Sequence, residues 1–168
     1  LRDVARVSPA FHALIDVGAL ITGMDNEEVA RYLLEHLPAE RFDGVVFLDR
    51  HDRKMILQRS SGRCLALEQC GVDVDRRFTF YDQVHTTGMD IKQAPDARAV
   101  VTIGKDMTFR DYAQGCFRMR GIGRGQSIHL YLIPEVENRL KQELGNHATG
   151  KVELDVTGWL LVNSMRME

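Results

Sequence analysis

Short apolar runs alternate along the chain with stretches in which apolar residues recur every three or four positions, the pattern of a mainly parallel α/β sheet covered by helices. The first run is Ala13-Leu14-Ile15-Asp16-Val17. A helix is predicted to start at Asp25 or Asn26, whose side chain can accept from the exposed first-turn amides. Glu27 and Glu28 suit the positive end of its dipole. Val29, Leu33 and Leu37 form its apolar stripe with Ala30 and Leu34, and Pro38 stops it.

Gly44-Val45-Val46-Phe47-Leu48 reads as a second buried strand, residues 49–54 as a charged turn, and Met55-Ile56-Leu57 as a short strand near an edge. Ser60-Ser61-Gly62 breaks the pattern, and residues 64–70 are expected to make a short helix. Further strands are expected at Phe78-Thr79-Phe80-Tyr81 and Ala99-Val100-Val101-Thr102-Ile103, joined by a polar loop over 82–95. Thr108 and Asp111 are spaced like a capping box for a helix reaching about Met119, which runs into the glycine-rich stretch 121–125. A last strand over 127–133 precedes a helix from Pro134 to Leu144, with proline in a first-turn position it tolerates. A loop over 145–151 leads to a final helix over 154–165. The division expected is one domain over 1–145 with a helical extension over 146–168, its Trp159, Leu160, Leu161 and Val162 packing on a further part of a longer protein.

Composition leaves this picture in place: 168 residues are enough for one domain with a sizeable core, and 44% hydrophobic with 27% charged residues is ordinary for a globular chain. The formal net charge of −2 argues against a strongly basic nucleic-acid-binding module. No apolar run reaches the roughly 18 residues of a membrane span. The N-terminus lacks the basic region and apolar block of a signal peptide, so a cytoplasmic or nuclear chain without membrane partners is expected. Because the chain opens with Leu1 and stops inside a helix-like pattern, it is expected to be a piece of a larger protein. Cys64, Cys70 and Cys116 show no metal-ligand pairing, so no metal site is expected and the thiols read as reduced and buried.

Two segments carry candidate chemistry, both on loops beside strand ends, where open α/β sheets place their sites. The first is His85-Thr86-Thr87-Gly88-Met89-Asp90-Ile91-Lys92. Its glycine permits close backbone approach to a ligand, its threonine hydroxyls can bond phosphate, and Asp90 can orient a cation. The second runs from Gln114 to Gln126 and holds Arg118, Arg120 and Arg124 at a helix end and glycine-rich loop. Guanidinium groups so placed suit a transferred phosphate, or they cap helix carbonyls and face water.

The two segments, in that order and separated by one strand and one helix, resemble the C-terminal lobe of superfamily 2 helicases and of the bacterial preprotein translocase motor. Residues 87–92 look like the helicase fifth motif, residues 114–126 like the sixth, and 13–17 with the following helix like the fourth. More closely, the strings over 13–19, 81–90 and 116–120 resemble very large eukaryotic proteins that carry an upstream phosphate loop and are commonly named ubiquitinyl hydrolases. The resemblance implies a RecA-like lobe of an ATP-hydrolysing motor, with ATP and Mg²⁺ held mainly by an N-terminal RecA-like lobe of the same parent chain. It implies an arginine finger at Arg124 or Arg120, Gln114 against the other lobe or nucleotide, and nucleotide contacts by Thr87, Gly88, Asp90 and Arg118. The polymer track is left open between polypeptide and nucleic acid. The arginines here are spaced two and four apart, where the helicase motif has two arginines three apart.

Asp82-Gln83-Val84-His85 imitates the acidic helicase motif that holds magnesium, with Gln in place of Glu; Asp82 and His85 are therefore expected to transmit nucleotide state between sites. The rival reading is a thiol hydrolase acting on ubiquitin conjugates. It would use Cys116, beside Arg118 and Arg120, with His85 or His129 as base. Against it, Cys116 is expected on the inward side of its helix with Ala113 and Phe117. A catalytically inert scaffold lobe is the third reading. His12, His36, His51 and His147 belong to no constellation and read as structural or surface residues.

Overall fold

In the computed structural model, which describes residues 1–7 and 10–167, the apolar runs form one seven-stranded sheet. Its strands are β1 (Ala13–Ile15), β2 (Gly44–Leu48), β3 (Lys54–Gln58), β4 (Cys64–Ala66), β5 (Arg77–Tyr81), β6 (Arg98–Ile103) and β7 (Ser127–Leu132). They lie in the order β4-β3-β2-β5-β1-β6-β7. β2, β5, β1, β6 and β7 run parallel, and β3 and β4 are added antiparallel at one side.

The helices are α1 (Arg2–Arg6), α2 (Asn26–His36), α3 (Phe109–Cys116), α4 (Pro134–Leu144) and α5 (Val152–Met167). Alternation along each strand sends side chains to opposite faces. Leu14, Val45, Phe47, Phe78, Phe80 and Val100 pack against α1 and α2. Ala13, Ile15, Val46, Leu48, Tyr81, Val101 and Ile103 pack with residues of α3, α4 and α5. The expected mainly parallel sheet with helices on both faces is thus present.

Local signals fixed several boundaries. The Asp25 carboxylate accepts from the Glu28 amide at 2.8 Å, and Thr108 and Asp111 form the reciprocal capping box of α3. Other boundaries differ. Residues 64–70 form the edge strand β4 and a 3₁₀ turn (Leu67–Gln69) instead of one short helix, because β3 offers an unpaired ladder. The α3 helix ends at Cys116, three residues early, where the chain turns to bury Arg118 and Met119. The segment 1–7, to which no element was assigned, contains α1.

The C-terminal helix is also part of the domain's own core. Trp159 and Leu160 are fully buried with Val156, and the Trp159 indole donates to Glu143 at 2.8 Å. The expectation that both pack on a separate part of a longer protein is corrected on this point, while Leu161 is exposed.

β1 feeds α2 and β2 on one side, whereas β6 feeds α3 and β7 on the other, so the chain reverses direction across the sheet between β1 and β6. The ends of these two strands are held by a buried carboxylate. Asp16 accepts from the Thr102 hydroxyl at 2.7 Å and from the amides of Leu20 and Ile21 at 3.0 and 3.1 Å. Beyond it, Gly18 and Gly104 touch backbone to backbone, and a Cβ on Gly18 would lie 2.6 Å from the Gly104 nitrogen. Gly18→Ala is expected to lower stability by about 1–3 kcal/mol through this overlap, a loss measured by urea denaturation against wild type.

Candidate functional site

The reversal between β1 and β6 opens a cleft of about 650 Å³ at the carboxyl ends of the parallel strands. Thr87, from the loop after β5, and Gln114, from α3, stand in its walls together with Lys105, Asp106, Asp111 and Glu135. Its floor loop is shaped from within. The Gly18 amide donates to Thr102, that of Ala19 to the Asp16 carbonyl, and those of Leu20 and Ile21 to the Asp16 carboxylate. Ala19 is held at φ 52°, a left-handed conformation unusual for a residue with a Cβ. With these amides turned inward, the loop is not an anion-binding nest.

Outside the residues that line the cleft, the two candidate segments meet through Asp90. Its carboxylate accepts from Arg118 at 3.0 Å, and from the Nε and Nη2 of Arg120 at 3.1 and 2.6 Å. The hydrogen bonds from Arg120, with the nearby charge of Arg118, hold the Asp90 carboxyl below the usual carboxylate range. The cations that Asp90 orients are therefore arginines of this chain.

The three arginines have different surroundings. Arg118 is buried and also donates to the Met89 carbonyl at 2.6 Å, so it ties the loop and cannot reach a ligand from its position. In this structure it joins the loop 85–92 to the arginine segment. Arg120 is half exposed, lies 4.1 Å from the Phe117 ring centroid, and is positioned without being enclosed. Arg124 is exposed and donates to the Arg120 carbonyl at 3.1 Å. Gly88, at φ 78°, makes the turn between Thr87 and Asp90 that a side chain would strain.

A second cavity, of about 550 Å³, lies behind the 3₁₀ turn Gln83–His85. His85 is buried there between two carboxylates, with Nδ1 at 2.5 Å from Asp82 and Nε2 at 2.6 Å from Asp52. Burial opposes the charged ring, but the hydrogen bonds to Asp52 and Asp82 outweigh it and raise the His85 pKa above its ordinary value. Asp52 is itself in the left-handed region, at φ 61° in the β2–β3 turn. Asp82 thus serves His85. Among the described residues no group of three or more His, Cys, Asp or Glu is placed to hold a metal ion.

The residues of the thiol reading are not brought together. Burial pushes the Cys116 thiol up to about 11, and its hydrogen-bond partner is the Tyr112 hydroxyl. His85 has both ring nitrogens committed to carboxylates, and His129 stacks obliquely on Phe11, 5.2 Å away. Cys116 is inward as expected, but Ala113 and Phe117 face out. A neutral, buried thiol without a base is a poor nucleophile.

Asp16 and Asp52 are the functional-region residues that sequence reasoning passed over. A carboxylate inside the apolar run 13–17 was a usable signal for Asp16, because a buried acid needs donors. Nothing in the charged turn singled out Asp52. No protein-family profile, curated protein or solved structure matches the chain. Among the described residues no helix is long and apolar enough to cross a membrane.

Removing the Asp90 carboxylate leaves the buried Arg118 without a counter-charge. Asp90→Ala is expected to cost about 1–3 kcal/mol, read as a lower urea midpoint at neutral pH. For His85, whose folded pKa is raised, the stabilisation is full below the unfolded value of 6.5 and is lost as pH rises through the folded value. Wild type is therefore expected to lose more stability than His85→Gln between about pH 6 and about pH 9; parallel curves would contradict this.

Proposed function

We propose that this chain is the second, RecA-like lobe of a two-lobed ATP-hydrolysing motor, with the carboxyl edge of its sheet turned towards the nucleotide. One observation carries the reading: the segments 85–92 and 114–126, apart in sequence, meet in two places, for Asp90 binds Arg118 and Arg120, and Thr87 and Gln114 share the cleft. The two segments together supply what phosphoryl transfer asks of such a lobe, a half-exposed guanidinium fixed by its carboxylate partner and a polar cleft. Arg120 is the finger, and Arg124, anchored on its carbonyl, is the second cation.

The charge of the cleft assigns the remaining parts elsewhere. Lys105 shares the cleft with Asp106, Asp111 and Glu135, and the floor amides are internally bonded. A triphosphate is therefore not held by this lobe alone. ATP with Mg²⁺ would sit on a facing N-terminal lobe that provides the phosphate loop and metal ligands. Thr87 and Gly88, continuous with Asp90, would link nucleotide state to a track, either polypeptide or nucleic acid. A ubiquitin-cleaving role has no support from Cys116, whose thiol is buried and neutral.

The test is ATP turnover by the intact protein carrying both lobes. Arg120→Ala is expected to reduce turnover by roughly 10³-fold with folding unchanged by circular dichroism, and Arg124→Ala to reduce it less. Undiminished turnover in both variants, or none in wild type, overturns the proposal.

A further inference from the structure

The two cavities share a wall. Gln83, Thr86 and Thr87 face the cleft at the sheet's carboxyl edge, His85 faces the second cavity, and Val84 lines both. The 3₁₀ turn Gln83–His85 is the partition between them. Within the chain, the Thr86 hydroxyl donates to the Gln83 carbonyl at 3.0 Å, and the His85 amide donates to the Asp82 carbonyl at 3.1 Å. Among the described residues, the hydrogen bond that ties this partition to a different part of the sheet is His85 Nε2 to Asp52, across 33 residues.

That tie depends on a proton. Both ring nitrogens face carboxylate oxygens, and an ionised carboxylate only accepts, so both bonds form only when the imidazole carries two N–H groups. When one proton leaves to solvent, one ring lone pair is set against a carboxylate oxygen and that contact becomes repulsive. The two carboxylates are not equivalent. The Asp82 side chain is 20% exposed and three residues from His85, whereas that of Asp52 is 71% exposed at the tip of the β2–β3 turn. Asp52 can turn to water without disturbing the sheet, so the ring keeps Asp82 and releases Asp52.

We infer that His85 is a proton-operated latch, which when doubly protonated pins the cleft wall 83–87 to the β2–β3 turn through Asp52 and when neutral lets that wall move. The charged groups around the ring are consistent with this. The turn presents Asp49, Arg50, Asp52 and Arg53, the start of α2 presents Asp25 and Glu27, β4 presents Cys64, whose thiol donates to Glu27, and the end of β5 presents Asp82. Asp49 is paired with Arg53 at 2.7 Å, Glu27 with Arg31 at 3.0 Å, and Asp25 caps α2. This leaves Asp52 and Asp82 as the carboxylates that answer the ring. The lowest-cost state is therefore a charged imidazole bridging both, and raising the pH breaks the bridge at its exposed end. The inference rests on the cleft being the working site, as proposed above, but not on what binds there.

The experiment is NMR on this chain, following the His85 ring nitrogens and the backbone ¹⁵N relaxation of residues 83–87 from about pH 5 to about pH 9. In wild type, residues 83–87 are expected to be rigid below the ring midpoint and mobile above it, with that midpoint above 6.5. In His85→Gln they are expected to be mobile at every pH. In Asp52→Asn, which keeps an acceptor but removes the charge, the ring midpoint and the onset of mobility should fall together by about one pH unit. Relaxation that ignores pH in wild type, or a midpoint unmoved in Asp52→Asn, overturns the latch. Neither readout involves nucleotide, so a failed ATPase assay and a failed latch are separate results.

Discussion

A guanidinium carried into an apolar interior needs a carboxylate with it, and that requirement at Arg118 organises how the loop 85–92 and the arginine segment meet. Arg118 is buried beside Met119 and against the loop that leaves β5. Its counter-charge comes from Asp90, on a crossover that also packs Ile91 and Ala94 beneath the α3–α5 face. Once Asp90 is fixed for Arg118, its second oxygen is positioned for Arg120, and the Arg120 carbonyl for Arg124. A buried charge thus presets the geometry of two exposed ones, without requiring the exposed pair to stabilise the protein.

The cleft follows from a different restriction. Parallel strands whose connections leave in opposite directions part at their carboxyl ends, and here β1 and β6 do so with two glycines in contact. Asp16 then consumes the amides that would otherwise face the opening. The opening is left with side-chain chemistry: amide, hydroxyl, one lysine and three carboxylates. That balance suits a surface that completes a site with another body better than one that holds a polyanion alone.

The wall between the cleft and the second cavity has few anchors of its own. It is a single 3₁₀ turn, with an exposed Val84 at its tip and a histidine held between two carboxylates behind it. Because, among the described residues, its long-range side-chain hydrogen bond runs to an exposed aspartate, a change of one proton is large compared with that tie. The sheet is insulated from this change, since its strands are anchored by apolar packing on both faces.

The sequence by itself determined the elements and their layering. Runs such as 44–48 and 99–103 read as buried strands, Asp25 and Thr108 with Asp111 as helix starts, and Pro134 as the opening of a helix, because apolar period and capping act within a few residues. The same reading singled out the loop 85–92 and the arginine segment as candidate chemistry from their order, separated by one strand and one helix, since each alone reads equally as a turn or a capped helix end. Only the tertiary structure decided which arginine is buried, that Cys116 and His85 stay apart, that residues 64–66 complete a sheet edge, and that Trp159 closes this domain's own core. Only it joined Asp52 to His85 and Asp16 to Thr102. These outcomes depend on which segments the sheet order places side by side, and a polar side chain's partner across 30 to 90 residues leaves no periodic trace in the residues around it.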